Sequence, residues 1–397
     1  MARDCLEIMS NVSPPPLGSE TAVSQENTWV LPHDLSAYLD FLRFIAAFAV
    51  LLGHMDQDGF QTAYWFPLGY LAHEAVVVFF VMSGFIIYSS TMSRNHSWQQ
   101  YYLARCARIY SVAIPAVLLS FWVSALVPQL IDNQQIVQKL YQPFNWWVLA
   151  SSLLFLNQSW GNTADLLVNG PYWSLCYEVW YYVLFGIYLF CPKALRWPLL
   201  SLAALIAGPA ILVLFPIWLM GAWLASRMQY LKIPTKTAAW AIFVTSVSVI
   251  LVNRWLDIDV SIRHLLHDSI PGFWRLNASQ RLVTDHLIGI AILLNIYAFN
   301  GLHAGFKQLF SKKRKAFCLI AAFSFTLYLF HRPFTQVAGN IYPNSESSLI
   351  YSATWIVAVL LCCYLISWLT ERQTIRWRTL FTALLPSQLL STSRNTP

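Results

Sequence analysis

Charge is what this sequence has least of. Of its 397 residues only 11% are Asp, Glu, Lys or Arg, where a soluble domain carries roughly 25%. That shortfall excludes an ordinary cytosolic globule. Hydrophobic residues make up 57%, which excludes intrinsic disorder for the bulk of the chain. Cysteine is sparse: seven residues, an odd number, with no Cys-x-x-Cys pair. Cys176, Cys191, Cys318, Cys362 and Cys363 lie in apolar runs, where cysteine usually serves as a small buried hydrophobe. Neither a disulfide framework nor a metal site is expected. No internal repeat is evident, so an inverted-repeat transporter gains no support. Residues 1–36 are polar, include Ser13-Pro14-Pro15-Pro16 and lack an apolar core, so they are expected to form a cytoplasmic tail and no signal peptide.

What is present is a series of long apolar runs. They fall at roughly 38–55, 70–90, 109–130, 173–191, 197–214, 216–228, 237–252, 283–300, 316–338 and 348–369. A spanning helix needs about 20 residues. The pattern predicts an all-α polytopic membrane protein with about ten transmembrane helices, with 197–228 interrupted at Pro216. Residues 144–158 form an eleventh apolar stretch, expected to be re-entrant or interfacial. The 18 Trp and 19 Tyr suit interfacial aromatic belts. The membrane domain is expected over 37–370, with a cytoplasmic tail over 371–397.

Charge sets the orientation. The 25 Lys+Arg against 18 Asp+Glu leave a net +7, read here as a topology signal; no nucleic-acid partner is expected. With the N-terminus inside and 144–158 non-spanning, the inner loops collect Arg94, Arg105, Arg108, Lys193, Arg196, Arg227, Lys232, Lys236, Lys307 and the run Lys312 to Lys315. The loops 56–69, 159–170 and 339–347 hold no Lys or Arg. That is the positive-inside pattern, with both termini cytoplasmic. The exception is 253–282, whose four Arg are balanced by Asp257, Asp259 and Asp268.

Several polar residues lie within the runs, where a central Arg costs about 2.5–3.5 kcal/mol on insertion scales. Arg43 and His54 are eleven residues apart. At about 100° per residue they project from one helix face, separated by about 16 Å along the axis. Arg43 could also snorkel, and His54 could also cap the helix end. Ser174, Glu178 and Tyr182 form one stripe at i, i+4, i+8. Ser324, Tyr328, His331 and Thr335, at spacings of 4, 3 and 4, form another. Ser83 with Gly84 permits close helix approach. Arg105 and Arg108 point the same way at i, i+3, a geometry suited to phosphate oxygens. The map is asymmetric, with Arg at the inner mouth and His54, Glu178 and His331 in the outer half. An anionic donor could enter from the cytoplasm, with acid–base chemistry farther out.

At these residues the chain resembles the integral-membrane acyltransferase family three, the O-acyltransferases of surface polysaccharides, lipids and exported small molecules. Its Arg-x10-His signature is matched by Arg43 and His54, its Phe-x-Ser-Gly-Phe by Phe80 to Phe85 in part, and its Arg-x-x-Arg by Arg105 and Arg108. Its Trp-Ser-Leu-x-x-Glu is matched by Trp173 to Glu178, and its Ser-x-x-x-Tyr-Leu-x-His-x-Pro by Ser324 to Pro333. The resemblance implies an acyl group, often acetyl, moved from acyl-CoA with no metal, in the bacterial cytoplasmic (inner) membrane. Arg105 and Arg108 would hold the CoA phosphates, and Arg43 the donor's thioester arm. His54 would act as general base or carry the acyl group, oriented by Glu178 in the manner of a carboxylate beside a catalytic His. Ser83, Trp173, Ser174, Tyr328 and His331 would meet substrate, the last two at the acceptor or the oxyanion. The acceptor would be a carbohydrate, a lipid-linked glycan or a small molecule. No appended extracytoplasmic hydrolase-like domain is expected, so transfer would be completed by this chain alone or with a separate partner. A secondary transporter remains the rival reading, because buried ionisable residues also serve transport; a non-catalytic scaffold would tolerate loss of Arg43 and His54.

Overall fold

The computed structural model describes residues 31–60, 62, 67–93, 97–162, 164–341 and 349–384. The expected N-terminal tail lies outside them up to residue 30, as does 385–397 of the C-terminal tail. Among the described residues the fold is all-helical, without a β-strand. Two long helices open it: α1 (His33–Met55), continued by a π-helical turn at Asp56–Phe60, and α2 (Ala72–Ser93), which follows a 3-10 turn at Pro67–Leu71. Then come α3 (Trp98–Leu130), the short α4 (Gln134–Leu140) and α5 (Trp146–Leu153), α6 (Tyr172–Phe190), α7 (Lys193–Ala207) and α8 (Pro209–Arg227). The chain continues through α9 (Lys236–Trp255), α10 (Ile258–Ser269), α11 (Leu282–Phe299), α12 (Ala304–Lys312), α13 (Arg314–Ala321) and α14 (Ser324–Ile341). It closes with α15 (Leu349–Ser367) and α16 (Thr374–Leu384).

Among the described residues seven helical stretches are long and apolar enough to cross a membrane, or eight if the bent pair α13–α14 is one span. The expected spans over 173–191 and 197–214 become α6 and α7, which do not meet that test. α7 is 15 residues long, about 22 Å at 1.5 Å per residue. α6 has the length but is crowded with Tyr, Trp and Glu178.

Local chemistry explains three boundaries. The expected break at Pro216 is instead at Gly208, and Pro216 sits inside α8. Gly208 has φ +82°, and an added Cβ would lie 2.8 Å from the Trp160 nitrogen, so only glycine fits the turn. The single span expected over 316–338 is two helices bent by 43°. At the bend the Ser324 hydroxyl donates to Ala321 O at 2.8 Å, a local bond that competes with the helical ladder. Arg105 and Arg108, expected ahead of the third span, lie inside α3. Ser97 and Gln100 start that helix with a reciprocal capping box. Its 33 residues reach about 50 Å, against a hydrocarbon core of about 30 Å, so its first turns can extend beyond the core.

Within 144–158 the only helix is α5, eight residues long and too short to span. Carbonyls at its end and just beyond it are satisfied by side chains of neighbouring helices. Tyr110 donates to Leu153 O (2.9 Å), Tyr172 to Ser152 O (2.8 Å) and Trp180 to Phe155 O (3.0 Å).

α1, α2 and α8 form the heart of the bundle. The close approach expected at Gly84 is present: a Cβ there would meet Trp218 O at 1.9 Å, and one at Gly221 would meet Val81 O at 1.8 Å. Two helices lock backbone to backbone only where both lack side chains. At the periphery only 17% of the apolar stretch of Lys236–Trp255 is buried, against 61% for His33–Phe60. A helix apolar on its exposed face suits lipid. In 253–282, Arg254 pairs with Asp257 at 2.8 Å and Arg281 with Asp259 at 3.1 Å, which neutralises part of the exceptional basic charge.

Candidate active site

The site is a file of polar side chains running through the bundle between α1, α2, α3, α6 and α14. At one end, the half-buried His54, in the last turn of α1, meets His331 of α14. His54 Nδ1 lies 2.9 Å from His331 Nε2, with ring centroids 5.1 Å apart. The other ring nitrogen of His331, Nδ1, lies 2.8 Å from Leu327 O. A carbonyl can only accept, so His331 Nδ1 carries the proton. In the neutral pair its Nε2 must then accept from His54 Nδ1–H. The tautomers are thus assigned by the network, and the lone pair of His54 lies on Nε2.

A second feature braces the same end. Arg332 Nη1 donates to His54 O at 2.9 Å and to Asp58 Oδ2 at 3.0 Å. Thr335 donates to the same carboxylate oxygen at 2.8 Å. Asp58 is in the π-helical turn after α1, beside Gly59 at φ +93°. Gly339 of α14 passes so close that a Cβ there would lie 2.1 Å from Asp58 O. His54 O belongs to the last turn of α1, where carbonyls lack helical partners, and Arg332 supplies one.

In the next layer Ser174 and Tyr328 share a hydrogen bond of 2.6 Å, and Tyr328 also donates to Pro171 O at 3.3 Å. Trp173 is half-buried, edge-on to Tyr177 and Phe80. Deeper still, Ser83 donates to Glu178 Oε1 at 2.5 Å, and Tyr182 donates to the same oxygen. Trp218 Nε1 donates to Ser83 Oγ at 3.1 Å. One carboxylate oxygen is therefore held by two hydroxyls, and the indole pins one of those hydroxyls in turn.

Arginines gather at the far end. The buried Arg43 pairs with Asp40 at 3.0 Å and interacts electrostatically with Arg108, Glu371 and Glu178. Arg105 interacts with Tyr182, Tyr101, Arg108 and Glu178. Arg108 Nη2 lies 4.0 Å from Glu371 Oε1. Glu371, in the 3-10 turn after α15, also accepts from Thr326 N at 3.2 Å. The stretch expected as a tail thus contributes a carboxylate to this cluster. Its helix α16 also rests on α3 through the Tyr110–Phe381 ring contact.

Two expectations change. Glu178 was expected to orient His54; the partner of His54 is His331, and the contacts of Glu178 are Ser83 and Tyr182. The reason is reach, since α6 brings Glu178 to the level of Ser83 in mid-α2. His331 was expected at the acceptor or the oxyanion; it is fully buried, with both ring nitrogens engaged. Of the remaining expected residues, Arg43, Arg105 and Arg108 share one cluster, while Ser83, Ser174 and Tyr328 line the file. Sequence reasoning missed Asp40, Asp58, Trp218 and the carboxylate of Glu371. Asp40 alone carried a local signal, standing three residues from Arg43 on the same helix.

Among the described residues no group of three or more His, Cys, Asp or Glu could hold a metal ion. The searches of curated proteins and of solved structures each return no match. A family model described as an acyltransferase domain matches residues 36–372, which spans all five sequence signatures and every residue of the polar file. With that match over most of its length, the chain belongs to acyltransferase family three, the integral-membrane acyltransferases.

Proposed function

We propose that this protein is a membrane O-acyltransferase that moves an acyl group, acetyl in the simplest case, from cytoplasmic acyl-CoA to a hydroxyl on a cell-envelope carbohydrate, a lipid-linked glycan or an exported small molecule. The observation that carries this reading is the His54–His331 pair at 2.9 Å, joined by a polar file to the arginine cluster. Arg105 and Arg108 bind the phosphates of the donor by charge-assisted hydrogen bonds. Arg43 stands deeper and guides the thioester arm, which must reach about 16 Å toward His54. The acceptor hydroxyl gives its proton to His54 Nε2 as its oxygen attacks the thioester carbonyl. The C–S bond then breaks, and the thiolate takes the proton back from His54. His331 accepts from His54 Nδ1–H throughout, the part a carboxylate plays in a serine-protease triad. The same Nε2 lone pair could carry the acyl group, and a trapped acyl-imidazole would mark that route. Glu178, held by Ser83 and Tyr182, faces the donor's path beside Arg43 and Arg105.

In this reading the bacterial inner membrane is crossed about ten times, with α6 and α7 added to the eight apolar spans. Both termini and the arginine end are cytoplasmic, and the histidine end faces outward. Ser174 and Trp173 lie toward the acceptor side. The test is to incubate purified protein with labelled acetyl-CoA and cell-envelope glycans and to read the products by mass spectrometry. A labelled ester should form with wild-type protein and not with His54→Ala. Substrate movement across vesicles without consumption of acetyl-CoA would instead establish a transporter and sink the enzyme reading.

A further inference from the structure

We propose that Arg332 and Asp58 are a positioning pair that holds the catalytic histidine in register; this rests on His54 being the general base. Three observations meet here. First, Arg332 Nη1 bridges two groups on the chain leaving α1, the main-chain oxygen of His54 itself (2.9 Å) and the Asp58 carboxylate (3.0 Å). Second, the bridge is anchored on α14 one residue after His331, so one short stretch of α14 grips both the ring and the backbone of His54. Third, the turn bearing Asp58 is tightly constrained. Asp58 is 9% exposed, its Oδ2 also accepts from Thr335 at 2.8 Å, and Gly339 brings α14 against its main chain.

The physical consequence follows from what each bond fixes. The His54–His331 bond alone leaves His54 free to pivot about one contact. The Arg332–His54 O bond adds a second point on the same residue, which fixes ring position relative to α14. Asp58 in turn orients the guanidinium, because the two N–H bonds of the planar Nη1 group diverge at a fixed angle, one to the carbonyl and one to the carboxylate. Removing either partner leaves the other as a buried charge without its counter-ion. Arg332 and Asp58 touch neither the donor cluster nor the proton-accepting nitrogen. Their effect should therefore be on turnover and not on donor binding. A base displaced by about 1 Å loses about 100-fold in rate.

The experiment compares Arg332→Gln, Arg332→Lys, Asp58→Asn and the Arg332→Gln/Asp58→Asn double mutant with wild type. It reads kcat and KM for acetyl-CoA, the unfolding midpoint in detergent, and the nitrogen-15 signature of the histidine tautomers by solid-state NMR. Arg332→Gln should lower kcat about 100-fold with donor KM unchanged. Arg332→Lys should recover part of the loss. The double mutant should be little worse than Arg332→Gln, because the two residues serve one step. His54 should lose its uniform Nδ1–H signature in Arg332→Gln. Retention of kcat within about threefold, or an unchanged tautomer signature in Arg332→Gln, overturns the proposal. So does a kcat loss that merely tracks a lowered unfolding midpoint across the four variants. Should wild-type protein transfer no acyl group, the enzyme reading fails by itself, while the tautomer signature still decides whether Arg332 positions His54.

Discussion

The two ends of the polar file solve opposite problems. At the histidine end every bond is short and directional: 2.9 Å between the rings, 2.8 Å to Leu327 O, 2.9 and 3.0 Å from Arg332. The orientation of each group follows from the next, down to which nitrogen bears a proton. At the arginine end Arg43 pairs with Asp40 at 3.0 Å and Arg108 stands 4.0 Å from Glu371, while Arg108 lies close enough to repel both Arg43 and Arg105. Here three cations share two carboxylates within one region. Proton transfer needs a base placed to fractions of an ångström. Capturing a phosphate needs several cations that can change partners.

The comparison breaks most sharply at His54. His54→Ala should lower kcat by about 10²–10⁴-fold, the range for loss of general-base catalysis, and leave donor KM unchanged. His331→Ala should be impaired for the same reason, and the His54→Ala/His331→Ala double mutant should be little worse than His54→Ala. Initial rates at saturating acceptor, at matched expression, provide the measurement. A His331→Ala enzyme with near-normal turnover would show that the histidine end is not one unit.

The opposite pattern is expected at the arginine end. Replacing Arg105 and Arg108 by Gln should raise donor KM about 10²–10⁴-fold, since hydrogen bonds to charged groups are worth about 1.5–3 kcal/mol each and two are lost. Binding of acetyl-CoA by calorimetry distinguishes this from a loss of fold. Unchanged affinity would return the pair to a purely topological role.

At the waist between the two ends, Gly221→Ala would force a Cβ to within 1.8 Å of Val81 O. Overpacking of this kind costs about 1–3 kcal/mol. Because α2 and α8 carry Ser83 and Trp218, the variant should disturb both ends together, with a lower unfolding midpoint in detergent. A variant of normal stability would show that the helices can slide apart at no cost.

The smallest effect sharpens the comparison. Glu371→Gln removes the carboxylate that faces Arg108, which in the proposed reading competes with the donor. Donor affinity should rise, by no more than a few-fold, because a pair 4.0 Å apart and partly solvated contributes about 0–1 kcal/mol. Weaker donor binding in Glu371→Gln would mean that the carboxylate orients Arg108 for the phosphate.

Membership of the family, the helical class and the same-face relations were legible because they are local. The spacing of Arg43 and His54, and the stripe Tyr328, His331 and Thr335, depend only on helical periodicity. The structure turns those three side chains of α14 toward α6, α1 and the Asp58 turn as that stripe anticipates. Less was legible where helices meet. His331 is 277 residues from His54, and no local pattern says that α14 rather than α6 presents the partner ring. Glu178 had the chemistry to orient an imidazole, but its depth on α6 matches Ser83. The break at Gly208 was missed because proline is the louder signal, although Pro216 is accommodated within α8.

Composition and charge by themselves determined that this chain belongs in a membrane, since 11% charge cannot dress a soluble surface of this size. Periodicity and spacing determined which residues are polar inside it and on which helix face. Tertiary structure alone decided the partners. It paired His54 with His331, gave Glu178 to Ser83 and Tyr182, and brought Arg332 onto the main chain of His54 and Asp58. The division is physical. A face is set by the 100° step between neighbours on one helix. A hydrogen bond between helices is set by their relative depth and rotation, as where Gly84 seated against Trp218 and Gly221 against Val81 bring the Trp218 indole to Ser83.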